Sequence, residues 1–156
     1  MLVFFSELIR NHILIAGIIA WCLAQVIKTV LYTIVNHKVD LTRLTGDGGM
    51  PSCHSATVTS VAVMSGLQTG FSSPVFAVAC IFAIVVMHDA MGVRLETGKQ
   101  AQTINQMIQM FIDLGQPDVS PEKRLKELVG HTPLQVVVGG LIGLLVALFY
   151  YFGIVV

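Results

Sequence analysis

Residues 134–156 read LQVVVGGLIGLLVALFYYFGIVV, an apolar run without one charged side chain. A helix needs roughly 20 such residues to cross the hydrocarbon of a bilayer, so this stretch predicts a membrane span. Further apolar segments lie at about 12–35, 55–70 and 74–90. Together they predict an all-α integral membrane bundle of about four transmembrane helices, forming a single domain over 1–156. Composition points the same way: 54% of the 156 residues are hydrophobic and 12% charged, about half the charged fraction usual in soluble domains. The formal net charge is zero, which suggests no nucleic-acid partner. Cys22, Cys53 and Cys80 have no paired spacing, so free thiols are expected rather than disulfides or a zinc site. Met1 to Phe5 have neither the basic start nor the cleavage site of a signal peptide, so the first span is expected to serve as its own insertion signal.

The segments differ in character. The first carries Gln25 and Lys28 within its apolar run, and the second is rich in Ser, Thr, Ala and Gly, which suits close packing inside a bundle. Gly139, Gly140 and Gly143 form a small face on the last span, read as a packing surface. Residues 91–132 form a polar insertion. Within it, 98–113 places Ile104, Met107, Ile108 and Phe111 on one helical side with glutamines elsewhere, the pattern of an amphipathic helix lying in the interface. Residues 115–121 read as a loop and 122–129 as a short charged helix, a solvated face whose Arg124 and Lys126 can steer an anion. Thr132 is placed to cap the last span, with Pro133 at its first position.

Four crossings would put the 36–53 loop and the insertion on one side, with both termini and the 68–73 turn on the other. Most of the chemistry then falls on the first side: His54, His88, Asp89, Arg94 and His131 sit at span ends, and Lys28 lies about 10 Å of helix rise below the same surface, within reach of a snorkelling side chain. The turn Gly48-Gly49-Met50-Pro51-Ser52-Cys53-His54-Ser55 runs straight into a span, an arrangement that can aim backbone N–H groups at an anion beside a histidine. An intramembrane lysine is a functional hypothesis by default, with pairing to Asp89 or simple snorkelling as the plain alternative. His12 and His37 lack such company and are read as interfacial. Cations crowd the same side: Lys38, Arg43, Arg94, Lys99, Lys123, Arg124 and Lys126 stand against Arg10 on the other, which predicts a cytoplasmic active face.

Pro51-Ser52-Cys53-His54 resembles the Pro-Ser-Gly-His motif of the type 2 phosphatidic acid phosphatases (PAP2), relatives of the vanadium haloperoxidases. Asp89-Ala90-Met91-Gly92-Val93-Arg94, Gly98-Lys99-Gln100-Ala101 and Leu125 through Pro133 complete a pattern similar to the divergent branch of that superfamily. The resemblance implies a PAP2-like core in which His131 is the nucleophile and His54 the acid for the leaving alcohol. It places Lys28 and Arg94 on the phosphoryl oxygens, with backbone near Gly49, Ser52 and Cys53. It implies no metal or other cofactor, a lipid or polyprenyl phosphate or pyrophosphate as substrate, surrounding membrane lipids as partners and a bacterial cytoplasmic (inner) membrane; it leaves a homo-oligomer open.

Three positions depart from the family pattern. The first-motif Arg-Pro pair is missing after Lys28. Cys53 replaces a glycine. Gln135 stands where an acid should orient the nucleophilic imidazole, which makes Asp89 or Glu127 the candidate substitutes. An amide accepts a hydrogen bond from the ring but cannot stabilise imidazolium charge, and so two alternatives stand beside the phosphohydrolase: a lipid-phosphate carrier or assembly factor that binds without cleaving, and an ion path through Lys28, His88 and Asp89.

Overall fold

The computed structural model describes residues 1–38, 48–114, 124–127 and 129–156. These form six α-helices: α1 (Leu2–Ile9), α2 (His12–Asn36), α3 (Cys53–Thr69), α4 (Pro74–Met91), α5 (Val93–Asp113) and α6 (Pro133–Tyr150), with a closing π-helical turn at Tyr151–Val155. Short polar residues set the starts. Asn11 Oδ1 accepts from Leu14 N, Ser52 Oγ from Ser55 N and Ser73 Oγ from Phe76 N, each satisfying an amide the helix leaves open. Pro74 and Pro133 occupy first-turn positions, where a missing N–H costs nothing.

Helices α2, α3, α4 and α6 pack together and alternate in direction along the chain. Lys28 meets Cys53 at one end of the α2–α3 pair, and Ala16 shares a cluster with Met64 at the other. Helix α6 runs alongside α3 in the same direction, from Gly139 beside Ser52 to Ala147 beside Met64. The seam of α2 is a row spaced by four, Ala16, Ala20, Ala24 and Lys28, all buried. On α6 the matching row is Gly139, Gly143 and Ala147. A Cβ at Gly139 would lie 2.3 Å from the Ser52 carbonyl oxygen, and one at Gly143 2.2 Å from that of Ala56, so these glycines let the two backbones touch. Gly140 is different: its Cβ would make an ordinary 3.5 Å contact with Thr59.

Among the described residues, three helical stretches are long and apolar enough to cross a bilayer: His12–Asn36, Pro74–Asp113, which joins α4 to α5, and Pro133–Val155. The expected second span is α3, 17 residues long and therefore about 26 Å by helix rise, short of the roughly 30 Å hydrocarbon core. It is sheathed by α2, α4 and α6 and needs no lipid-facing surface. Three of its hydroxyls bond back to the preceding turn, Thr57 donating to Cys53 O, Ser65 to Val61 O and Thr69 to Ser65 O.

The insertion differs from expectation in two places. The amphipathic helix begins at Val93 rather than Gly98, starting directly after Gly92 at the end of α4. The expected short helix at 122–129 is absent from its described part, because residues 124–127 lie extended along α5 instead. Asn105 Nδ2 donates to Leu125 O and its Oδ1 accepts from Leu125 N, while Arg124 reaches Gln109. Two glycines permit this contact: a Cβ at Gly98 would meet Glu127 O at 2.5 Å, and one at Gly130 would meet Leu95 Cα at 2.3 Å. The expected loop at 115–121 lies outside the described residues, as do Arg43 and Lys123.

Candidate functional site

His131 is 2% exposed and is held from three directions. Its backbone N–H donates to Ala90 O at the end of α4, its ring Nδ1 lies 3.2 Å from Gln135 Oε1, and its ring centroid is 6.2 Å from that of His54. His54 belongs to the first turn of α3, and Gln135 to the first turn of α6. The backbones of those two turns are joined, since Ser52 N–H donates to Gln135 O. The imidazoles therefore meet because their helices start side by side, with Gly139 keeping the starts close.

Gln135 sets which nitrogen of His131 carries the proton of the neutral ring. Thr132 N–H donates to Gln135 Oε1 at 3.1 Å, which fixes the amide oxygen toward the histidine. An oxygen there can only accept, so Nδ1 carries the proton of the neutral ring and the lone pair is on Nε2. Burial pushes the His131 pKa below its ordinary value; the positive charges of His54 and Lys28 act in the same direction, opposed by the Gln135 amide and a backbone hydrogen bond with Gly49. The result is a neutral, oriented imidazole.

His54, His131, Asp89 and Arg94 border one pocket of about 160 Å³, walled on the α4 side by Val85 and Val86. At about 30 Å³ of liquid volume per water, this is the space of roughly five waters, suited to a phosphoryl group and the first atoms of its ester. Arg94 Nε donates to Asp89 Oδ2 at 2.6 Å at the junction of α4 and α5. Asp89 is thus engaged with the arginine, and Glu127 accepts from Asn105. The group that orients His131 is Gln135, so neither acid takes over that role in the described contacts.

The other expected residues are distributed around this centre. Lys28 is 4% exposed, with Nζ 3.8 Å from Cys53 Sγ. It borders a separate groove with Tyr32, Gly48, Gly49 and Met50, and its charge acts on His131 through the field. Cys53 Sγ is also 3.8 Å from His54 Nδ1, so the thiol stands between the lysine and the imidazole. Gly49 has φ +84°, and its α-carbon face lies against the Lys28 stem. Ser52 is wholly buried, with its N–H engaged by Gln135 and its hydroxyl by Ser55. Lys126 sits on the exposed segment beside α5 and does not border the pocket. Sequence reasoning missed the Ala90 carbonyl that anchors His131 and the Val85–Val86 wall. Apolar residues one turn before Asp89 were the only available signal for that wall.

Comparison with known proteins gives the family. Residues 9–146 match the family model described as the Divergent PAP2 family. The chain is 41% identical over 150 residues to the uncharacterized membrane protein YuiD of Bacillus subtilis (strain 168), an alignment covering 91% of this chain and 95% of that protein. No solved structure matches it.

Proposed function

The chain belongs to the Divergent PAP2 family, and from that premise we propose that it is a membrane-embedded phosphohydrolase acting on a lipid or polyprenyl phosphate or pyrophosphate. The observation that carries this reading is the pair of imidazoles 6.2 Å apart on a pocket that also holds Arg94. The Nε2 lone pair of His131 attacks phosphorus, and the bond to the ester oxygen breaks. The departing oxygen takes a proton from protonated His54, leaving a phosphohistidine. Neutral His54 then takes a proton from water as its oxygen attacks phosphorus. The N–P bond breaks, its electron pair returns to Nε2, and inorganic phosphate leaves. Arg94 and the field of Lys28 offset the charge on the phosphoryl oxygens, so catalysis is chiefly positioning and electrostatics.

A tailed substrate suits the surroundings. Val85 borders the pocket and is also exposed on the outer side of α4, a membrane-spanning helix, so an apolar chain attached to the phosphate has lipid beside it. Purified protein given a panel of lipid phosphates should release inorganic phosphate and form an acid-labile phosphohistidine at residue 131. Release unaffected by His131→Ala would overturn the reading. The cation count supports a cytoplasmic active face, in which case a reporter fused to Val156 will read as external; an internal signal rejects that orientation.

The second reading is a binder that does not turn substrate over, and Gln135 favours it, because an amide offers no charge to a histidine becoming imidazolium. It predicts stabilisation by vanadate or lipid phosphate without release of phosphate.

A further inference from the structure

Asp89 already holds the cation that an incoming phosphoryl group would use. It lies in the last turn of α4 and Arg94 in the first turn of α5, joined by the 2.6 Å ion pair, and both border the pocket of His54 and His131. Their side chains are 40% and 51% exposed, so the pair is a solvated one of modest strength that can exchange partners. An anion that takes the Nε edge of Arg94 has to replace this carboxylate, and one that takes only its Nη groups sits beside it.

We propose that Asp89 is a specificity-determining residue: an internal monoanionic competitor for Arg94 that admits phosphomonoester dianions and turns away phosphodiesters. This rests on the phosphate-site reading above. A carboxylate carries one negative charge, and so does the diester of an ordinary phospholipid, which has only two unesterified oxygens. Exchanging one for the other gains no charge at Arg94 and leaves Asp89 beside a second anion. A phosphomonoester carries about −1.5 to −2 at neutral pH and presents three terminal oxygens, enough to take the guanidinium fork and still face the other cations. Lys28 strengthens this bias, since its field reaches His131 and rewards the higher charge. Discrimination of this kind works by repelling the wrong ligand, and a site at the lipid boundary is surrounded by diesters.

The test uses the full chain in neutral nanodiscs. Its two probes are a non-hydrolysable short-chain phosphonate analogue of phosphatidate and a phosphatidylglycerol with the same acyl chains. Wild type should prefer the phosphonate. Asp89→Asn should bind phosphatidylglycerol about five-fold more tightly, the upper worth of an exposed ion pair, with a smaller gain for the phosphonate. Asp89→Ala should narrow the preference in the same way, and adding Arg94→Ala should cancel the gain. An unchanged preference ratio, or weaker binding of both probes in both Asp89 variants, would make the pair a brace of the helix junction and overturn the inference while leaving the hydrolase standing. A wild type that binds neither probe would overturn the phosphate site and this inference together.

Discussion

Each end of the bundle sets a histidine against another helix, yet among the described residues the two ends give their histidines different company. At the end bearing the chain termini, His12 Nδ1 lies 3.1 Å from the Tyr150 hydroxyl, a contact that ties α2 to α6. At the opposite end, His54 and His131 face a pocket shared with an arginine and a carboxylate, with a buried lysine behind. The residue type is the same, and the company differs. A helix-end histidine is a structural group when one partner satisfies it. It becomes a candidate catalyst where opposed charges surround a space large enough for a ligand.

The largest contrast should come from removing one histidine at each end. His131→Ala is expected to lower phosphate release by at least about ten-thousand-fold, since no other group supplies the nucleophile. His12→Ala should leave the rate within about three-fold and cost only the net worth of one hydrogen bond, about 1 kcal/mol, in stability. Phosphate release and thermal unfolding of both variants measure this. Equal rate losses would erase the distinction between the ends.

A middle-sized effect tests the seam connecting them. Gly143→Val would drive a side chain into the Ala56 carbonyl, where even a Cβ would sit 2.2 Å away, and should cost about 1–3 kcal/mol or more, as overpacking does. Gly140→Ala meets Thr59 at 3.5 Å and should be close to neutral. Unfolding in mild detergent compares the two directly. If both are tolerated, the close approach of α6 to α3 is not what holds His54 beside His131.

Much of this was legible in the residues. Apolar run lengths located the crossing helices, Thr132-Pro133 marked the start of α6, and the alternation of directions along the chain brought positions 54 and 131 to one side. Other features depend on tertiary packing and carry no local signal. Helix α3 has the composition of an interior helix but only 17 residues, so its role as the sheathed centre depends on its neighbours. Residues 124–127 carry helix-favouring charges, yet their backbone is engaged by Asn105 twenty positions away. The five-residue separation of Asp89 and Arg94 straddles a helix break, so no helical periodicity predicts their ion pair. Lys28 was expected in the histidine pocket; its place behind Cys53 follows from a row spaced by four that packs on α3.

The smallest effect concerns Gln135 and is the most diagnostic of mechanism. In a triad whose carboxylate is replaced by an amide, much of the roughly ten-thousand-fold loss reflects the wrong tautomer. Here the Thr132 amide pins the oxygen toward His131, so the tautomer is right and only the charge is missing. A charge-assisted hydrogen bond is worth about twice a neutral one, a gain near 1 kcal/mol, so Gln135→Glu should raise kcat only about five-fold. The pH profile separates this from a general improvement. Because the His131 pKa lies below its ordinary 6.5, the nucleophile stays neutral into mild acid, and the acid limb of kcat/KM that it sets should fall below that value. The same depression means that the unfolded chain takes up the proton first: the stability contributed by neutral His131 is present above pH 6.5 and is lost as pH falls through its folded value. A carboxylate at 135 favours the imidazolium, so the acid limb in Gln135→Glu should move upward as kcat rises. A rise in kcat with an unmoved limb would mean that His131 is not the group being tuned, and the two ends of the bundle would differ for some other reason.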